Sequence, residues 1–264
     1  MFGCYTLAVN RKIKHRGVLY LSDICIFKRI EKKYRITTQQ KEALLAIVGK
    51  YLKPDAYGKS TICSIYLDTP NYRLIRNSIE AISYKEKIRL RSYGVPKENT
   101  KVFLELKKKY KGVVYKRRIS MTLMQAMDYL ENGVRPEESQ IMREIDYSMK
   151  FYDHPTPSIY IAYEREAFYA EDIPSLRITF DSNVRYRGDN LLLQYGDDGK
   201  KLIKDNELLL EIKTDGAMPL WLSSALTECG ILPSSFSKCG TAYQILMGKT
   251  PTQYIKGELS YARS

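Results

Sequence analysis

Tyr84-Lys85-Glu86-Lys87-Ile88-Arg89-Leu90-Arg91-Ser92 carries a cation at every second position from Lys85 to Arg91. A β-strand sends alternate side chains to the same face, so Lys85, Lys87, Arg89 and Arg91 share one side. Like charges at that repeat lie roughly 6–7 Å apart and repel by about 2–3 kcal/mol per adjacent pair at an effective dielectric near 20. In bulk water the repulsion falls well below about 1 kcal/mol. A face of this kind needs solvent or a bound polyanion.

The arrangement recurs along the chain. Phe103-Leu104-Glu105-Leu106-Lys107-Lys108-Lys109 sets Glu105, Lys107 and Lys109 on one face and Leu104 and Leu106 on the other. Strand-like alternation with charge is also present in segments 31–35, 114–118, 163–165, 176–181 and 208–213. A solvated surface would have to be invoked separately for each of these segments. A closed sheet with a charged interior and an apolar exterior accounts for all of them together. The fold class expected is α+β: an antiparallel β-barrel tunnel with a charged interior, decorated by helices.

The chain has 264 residues, 44% hydrophobic and 28% charged, and no repeat, low-complexity tract or linker divides it. Its 43 basic residues against 30 acidic ones give a formal charge of +13. That excess predicts a polyanionic partner: nucleic acid, nucleotide, polyphosphate or anionic lipid. Five scattered cysteines without metal-type spacing predict reduced thiols and a cytoplasmic location. His15 and His154 are the only histidines and neither neighbours a cysteine or acidic cluster, which argues against a zinc site or a histidine triad. No apolar run approaches the roughly 20 residues of a membrane span, since Ser22 and Asp23 interrupt the stretch from Val18 to Phe27. Residues 1–26 are expected to be an ill-defined extension, and residues 251–264 a loosely held tail.

Between them, capping residues and periodicity predict helices over 37–53, 122–132, 136–152, 219–229 and 239–246. Strands are expected over 31–36, 61–68, 81–93, 101–110, 112–120, 158–169, 176–181, 184–187 and 207–214.

A phosphate chain in such a tunnel would meet arginines that bind two oxygens each and lysines that act as point charges. Carboxylates beside phosphates repel them unless a divalent cation bridges the two. Glu31, Glu105 and Glu211 each precede a lysine by two residues, at Lys33, Lys107 and Lys213, so each pair shares a strand face. A single pair reads equally as a cross-strand salt bridge. Three pairs among arginine-bearing strands favour a joint metal and phosphate site. Phosphoryl transfer needs alignment and charge stabilisation more than a histidine base, because an acceptor phosphate is already ionised. Hydrolysis instead requires a positioned water. The 22 tyrosines suit strands, and with no RNA-recognition motif beside them no nucleic-acid partner is expected.

Glu31-Lys32-Lys33-Tyr34, Ile88-Arg89-Leu90-Arg91-Ser92-Tyr93-Gly94, Glu105-Leu106-Lys107, Glu211-Ile212-Lys213 and Ser235-Phe236-Ser237-Lys238 occur in that order. The series resembles the catalytic domain of the vacuolar transporter chaperone (VTC) polyphosphate polymerases, members of the triphosphate tunnel metalloenzymes (CYTH-like), over about residues 27–246. The resemblance implies a domain at residues 27–250 that transfers the γ-phosphoryl group of ATP to polyphosphate, assisted by Mn²⁺ or Mg²⁺. Carried over by position, it implies phosphate-ligand roles for Lys33, Arg89, Arg91, Lys107, Lys116, Arg165, Arg177, Lys213 and Lys238. Arg76, Arg118, Tyr163 and Ser237 would contact substrate, Arg76 at a spacing from Arg89 that departs from the pattern. Glu211 would hold the metal, with Glu31 and Glu105 as further ligands or as groups orienting the lysines. ATP and polyphosphate or pyrophosphate would be the partners, and a membrane partner could receive the product. The regulatory domain and membrane segments of the eukaryotic complex do not fit in this length. Two other functions stay open: a tunnel triphosphatase, and a non-catalytic module binding polyphosphate or nucleic acid.

Overall fold

The computed structural model describes residues 30–80, 83–111 and 113–249 and the backbone of 254–255. The extension at 1–26 lies outside the described residues, as does most of the tail. Where charge and apolar residues alternate, the chain forms strands. β1 (Ile30–Thr37) runs directly into α1 (Thr38–Val48). Thr37 and Gln40 close a capping box there: Gln40 N–H donates to Thr37 Oγ1 at 3.2 Å, and Thr37 N–H donates to Gln40 Oε1 at 3.0 Å. The helix stops earlier than its sequence predicts, because Gly49–Tyr51 tightens into a single 3₁₀ turn.

β2 (Lys53–Asp68) is followed by α2 (Arg73–Glu80), a helix that the apolar periodicity does not reveal. Its start is held by Asp68, whose buried carboxylate accepts hydrogen bonds from the backbone N–H groups of Thr69, Leu74 and Ile75, each at 2.8 Å. β3 (Tyr84–Tyr93), β4 (Lys101–Tyr110) and β5 (Val113–Thr122) form a meander. α3 (Leu123–Asn132) follows, with a Thr122–Gln125 capping box and Gly133 at φ 73° ending it, and then α4 (Gln140–Phe151). β6 (Thr156–Ala170) pairs with β7 (Ile173–Arg187), a single strand where the sequence predicts two. Asn183, at φ 47°, sits where the β6–β7 register shifts, so the predicted break is a bulge inside one strand. β8 (Lys200–Lys201), β9 (Glu207–Thr214), α5 (Leu220–Glu228), β10 (Ser234–Ser235), α6 (Lys238–Leu246) and β11 (Tyr254–Ile255) complete the order.

The main sheet has nine strands, all antiparallel, in the order β1-β9-β7-β6-β2-β3-β4-β5 with β8 beside β7. The α+β class and the antiparallel sheet match the sequence expectation. Closure does not: among the described residues no ladder joins β1 to β5. β1 instead meets Pro233 through an isolated bridge at Tyr34. Across the gap the curl brings Glu31 on β1 to 3.8 Å from Lys107 on β4, the neighbour of the edge strand β5.

The outer face is apolar and covered by helices. Ile88, Leu90, Leu104 and Leu106 pack under α3 and α4, and Ile178, Leu210 and Ile212 pack under α1 and α5. Each such side chain contributes about 1.5–3 kcal/mol by leaving water. A third cluster lies inside the curl, where Ile161, Val184 and Leu209 meet Ile75 of α2 and Cys239 and Ala242 of α6. α2 and α6 thereby fill one end of the interior. No described helix is long and apolar enough to cross a membrane.

Because Asp68 organises α2, Asp68→Ala should cost about 1–3 kcal/mol by stranding buried N–H groups. Urea unfolding followed by circular dichroism measures it; a loss below about 0.5 kcal/mol would show that α2 does not depend on this carboxylate.

Candidate functional site

Register places the charges of different strands opposite one another. Lys107 lies between Lys87 and Lys116, and Glu105 between Arg89 and Arg118. Across the curl, Glu31 opposes Lys213, Lys33 opposes Glu211 and Arg165 opposes Asp181. Directly opposed residues of an antiparallel pair share a face. The shared face is the inner one, and it surrounds a cavity of about 640 Å³ lined by eleven cationic side chains and three carboxylates.

Glu105 anchors one wall. Its buried carboxylate accepts hydrogen bonds from Arg89 Nε at 2.6 Å and Arg118 Nε at 2.5 Å, and lies 2.7 Å from Lys116 Nζ and 4.0 Å from Arg91. Burial alone would raise its pKa, but Arg89, Arg91 and Lys116 outweigh it and hold the group below the usual carboxylate range. Burial and the neighbouring cations push Lys116 down to about 8, despite Glu105. Arg91 also donates to Ser64 Oγ at 3.2 Å and to the Tyr163 hydroxyl at 3.3 Å.

The facing wall shares its carboxylates more widely. Lys33 Nζ lies 3.2 Å from Glu31 and 3.6 Å from Glu211, and it donates to the Phe236 carbonyl at 3.3 Å. Lys213 is 3.0 Å from Glu211. Burial opposes ionisation of Glu211, yet Lys238, Lys213, Lys33 and Arg165 keep its pKa far below the ordinary value. Arg165 makes a two-pronged contact with Asp181, at 2.6 and 2.7 Å, and Lys238 Nζ meets the same fully buried carboxylate at 2.5 Å. Burial would raise the Tyr163 hydroxyl, but Arg91, Arg165 and Lys238 overcome it and lower its pKa. Arg165 and Lys238 also stand over the Tyr163 ring, at 5.1 and 4.5 Å from its centre.

Of the residues that the sequence singles out, Lys33, Arg89, Arg91, Lys107, Lys116, Arg118, Tyr163, Arg165, Lys213, Ser237 and Lys238 come together in this cavity with Glu31, Glu105 and Glu211. Two do not. Arg177 is opposite Lys213 on β7, but its guanidinium donates to the carbonyls of Pro174 and Leu176 and lies over Tyr169, outside the cavity lining. Arg76 is exposed on α2 and donates to the Asn71 carbonyl at 3.4 Å. Lys85 likewise leaves the charged face, donating to the Ser78 carbonyl at 2.8 Å.

Two groups escape the motif-based selection: Asp181, buried behind the lining where it holds Arg165 and Lys238, and Lys87 in the lining itself. Asp181 follows an apolar stretch and resembles a strand end in sequence. Lys87 shares the alternation of Arg89 and Arg91 and belongs to no Glu-x-Lys pair. The spacing of two from Arg89 was the available signal for it.

Among the described residues no three His, Cys, Asp or Glu side chains gather into a metal cage. Mg²⁺ and similar ions commonly use one or two carboxylates together with substrate phosphates and water. Glu31 and Glu211, both within 4 Å of Lys33 Nζ, suit that pattern. Glu105 is hydrogen-bonded to three cations, which fits the other role the sequence allows it, orienting its basic neighbours.

A family model described as VTC domain matches residues 28–247. No curated protein matches the sequence. Among solved structures, a protein from Pyrococcus horikoshii OT3 is similar at 16% identity, covering 83% of this chain and 98% of its own, with a TM-score of 0.44. A Bacillus halodurans protein provisionally named an adenylate cyclase is similar at 11% identity, with 86% and 94% covered and a TM-score of 0.46. A Hippeastrum protein provisionally named an adenylyl cyclase, and described as having a dominant triphosphatase activity, matches at 16% identity, with 84% and 97% covered and a TM-score of 0.46.

Glu105→Gln leaves several cations without their carboxylate and should destabilise the fold by about 3–5 kcal/mol. The stabilisation that Glu105 gives is present above its ordinary pKa of 4.5 and is lost as pH falls below that value toward its depressed one. Urea midpoints of the wild type should therefore fall more steeply below pH 4.5 than those of Glu105→Gln. Parallel pH profiles would contradict the anchoring role.

Proposed function

The chain belongs to the VTC domain family, matched over residues 28–247, and on that premise we propose that it is a metal-dependent polyphosphate polymerase. The reaction would transfer the γ-phosphoryl group of ATP to a polyphosphate or pyrophosphate acceptor inside the cavity. What carries this reading is the imbalance of eleven cations against three carboxylates along one enclosed wall. A chain of phosphates matches such a surface in charge.

In the reaction, an acceptor phosphate oxygen attacks Pγ of ATP, the bond from Pγ to the bridging oxygen breaks, and its electron pair leaves on ADP. Arg89, Arg91 and Arg165 would orient phosphate oxygens through fixed guanidinium planes, while Lys107, Lys116, Lys213 and Lys238 would neutralise the charge that develops. The acceptor is already ionised, so no general base is needed. Glu211 with Glu31 would hold Mg²⁺ or Mn²⁺, which when bound adds charge neutralisation at the phosphate oxygens.

A second reading, hydrolysis of a triphosphate, is favoured by one observation. α2 and α6 fill one end of the interior with apolar side chains, which leaves a phosphate chain no through passage at that end.

Incubation with ATP and Mn²⁺, with and without a short polyphosphate primer, separates the two. Polymer and ADP support the polymerase, free phosphate released from triphosphate supports the hydrolase, and absence of turnover would sink both. Lys107→Ala and Glu211→Gln should each lower turnover by about 100-fold or more with an unchanged circular dichroism spectrum. Arg177→Ala, outside the cavity lining, should stay within about twofold of wild type. A loss comparable to Lys107→Ala would return Arg177 to the site.

A further inference from the structure

Lys87 is the exception among the cations of the cavity. Every other lysine or arginine lining it has a carboxylate within 4.0 Å: Glu31, Glu105, Glu211, Asp181 or, for Arg117, Glu144. Among the described residues Lys87 has none. Its ammonium donates to Ser237 Oγ at 3.1 Å, a hydroxyl that itself accepts from Gly240 N–H at 3.2 Å in the first turn of α6. Lys33, Lys107 and Arg89 stand around it. An ammonium surrounded by cations and partly withdrawn from bulk water is unfavourable without a counter-charge. Burial, against the opposing effect of Cys239 and with help from these neighbours, pushes it down to about 8. Burial holds the Cys239 thiol up at about 12, so it stays neutral and does not supply the missing charge.

The place of Lys87 tells which anion fits. It lies at the end of the cavity where α6 enters, and beyond that point Ile161, Val184, Cys239 and Ala242 are packed with almost no accessible surface. A phosphate chain reaching Lys87 from the cavity can go no further. Its last unit differs from the internal ones: an internal phosphate carries a single negative charge and two free oxygens, whereas a terminal one carries up to two charges and three free oxygens. We propose that Lys87 and the Ser237 hydroxyl form a seat for the terminal phosphate of a linear phosphate chain, so that the cavity binds chains with ends more tightly than chains that have none. This rests on the reading of the cavity as a phosphate site. In a polymerase the seated terminus belongs to the acceptor, and in a hydrolase to the triphosphate.

Linear tripolyphosphate and cyclic trimetaphosphate share the internal unit, but only the first has termini. Calorimetric titration of wild type, Lys87→Met, Lys87→Arg and Lys107→Met with both compounds, at equal ionic strength and pH 7, tests the seat. Lys87→Met should weaken the linear compound about tenfold or more and leave the cyclic one within about twofold, as expected for losing a charge-assisted hydrogen bond to the terminus alone. Lys87→Arg should retain most of the preference, and Lys107→Met should weaken both compounds. Equal weakening of both by Lys87→Met, or of neither, overturns the seat while leaving the phosphate cavity in place. Binding of neither compound by wild type overturns the cavity reading together with the seat. Lys87→Met should also melt no lower than wild type, because it removes an unpaired charge; a lower melting temperature counts against the proposal.

Discussion

Mutual repulsion of cations is the constraint on which this structure depends. Eleven of them line one cavity, and left alone they would burst the sheet that carries them. Four carboxylates prevent this, and each serves more than one partner. Glu105 holds Arg89, Lys116 and Arg118, Asp181 holds Arg165 and Lys238, and Glu31 and Glu211 share Lys33. Their ionisation is secured by the same cations, so neither set is stable without the other. The charge left over is what makes the cavity a receptor for anions.

Such a wall can exist because the opposite face of the strands that carry it is largely apolar. Leu104 and Leu106 flank Glu105 in sequence and point into the helix-covered core, while Glu105 points inward. A one-residue slip of β4 would exchange leucines for charges and lose both the core and the cavity. Burial on the outer face thus fixes the register that aligns Arg89 with Glu105 and Lys33 with Glu211.

This coupling also explains how far the sequence is legible. Alternation reports which residues share a face, so β4 and β9 fall at their predicted bounds and most of the predicted cations meet. Alternation does not report how far along a strand the cavity extends. Arg177 is on the inner side by register and still turns to nearby carbonyls, and Lys85 turns to Ser78. α2 escapes prediction because its start is set by Asp68, a strand residue reaching forward to backbone groups six and seven positions on. Nor does local pattern reveal which charge lacks a partner. That Lys87 has no carboxylate within reach among the described residues, and that Glu105 is held by three cations, depends on distances between strands far apart in the chain.

The seam between β1 and β5 has a mechanical meaning. A barrel closed all round by backbone hydrogen bonds has a circumference fixed by strand number and stagger. Here one link of the ring is a contact between the half-exposed Lys107 and Glu31 at 3.8 Å. The molecule is in that respect a split ring, whose clasp is an ion pair loosened by salt and by any anion that competes for Lys107. Its bore is thus tied to the charge it contains, and a guest that neutralises the wall also undoes the clasp that set its width.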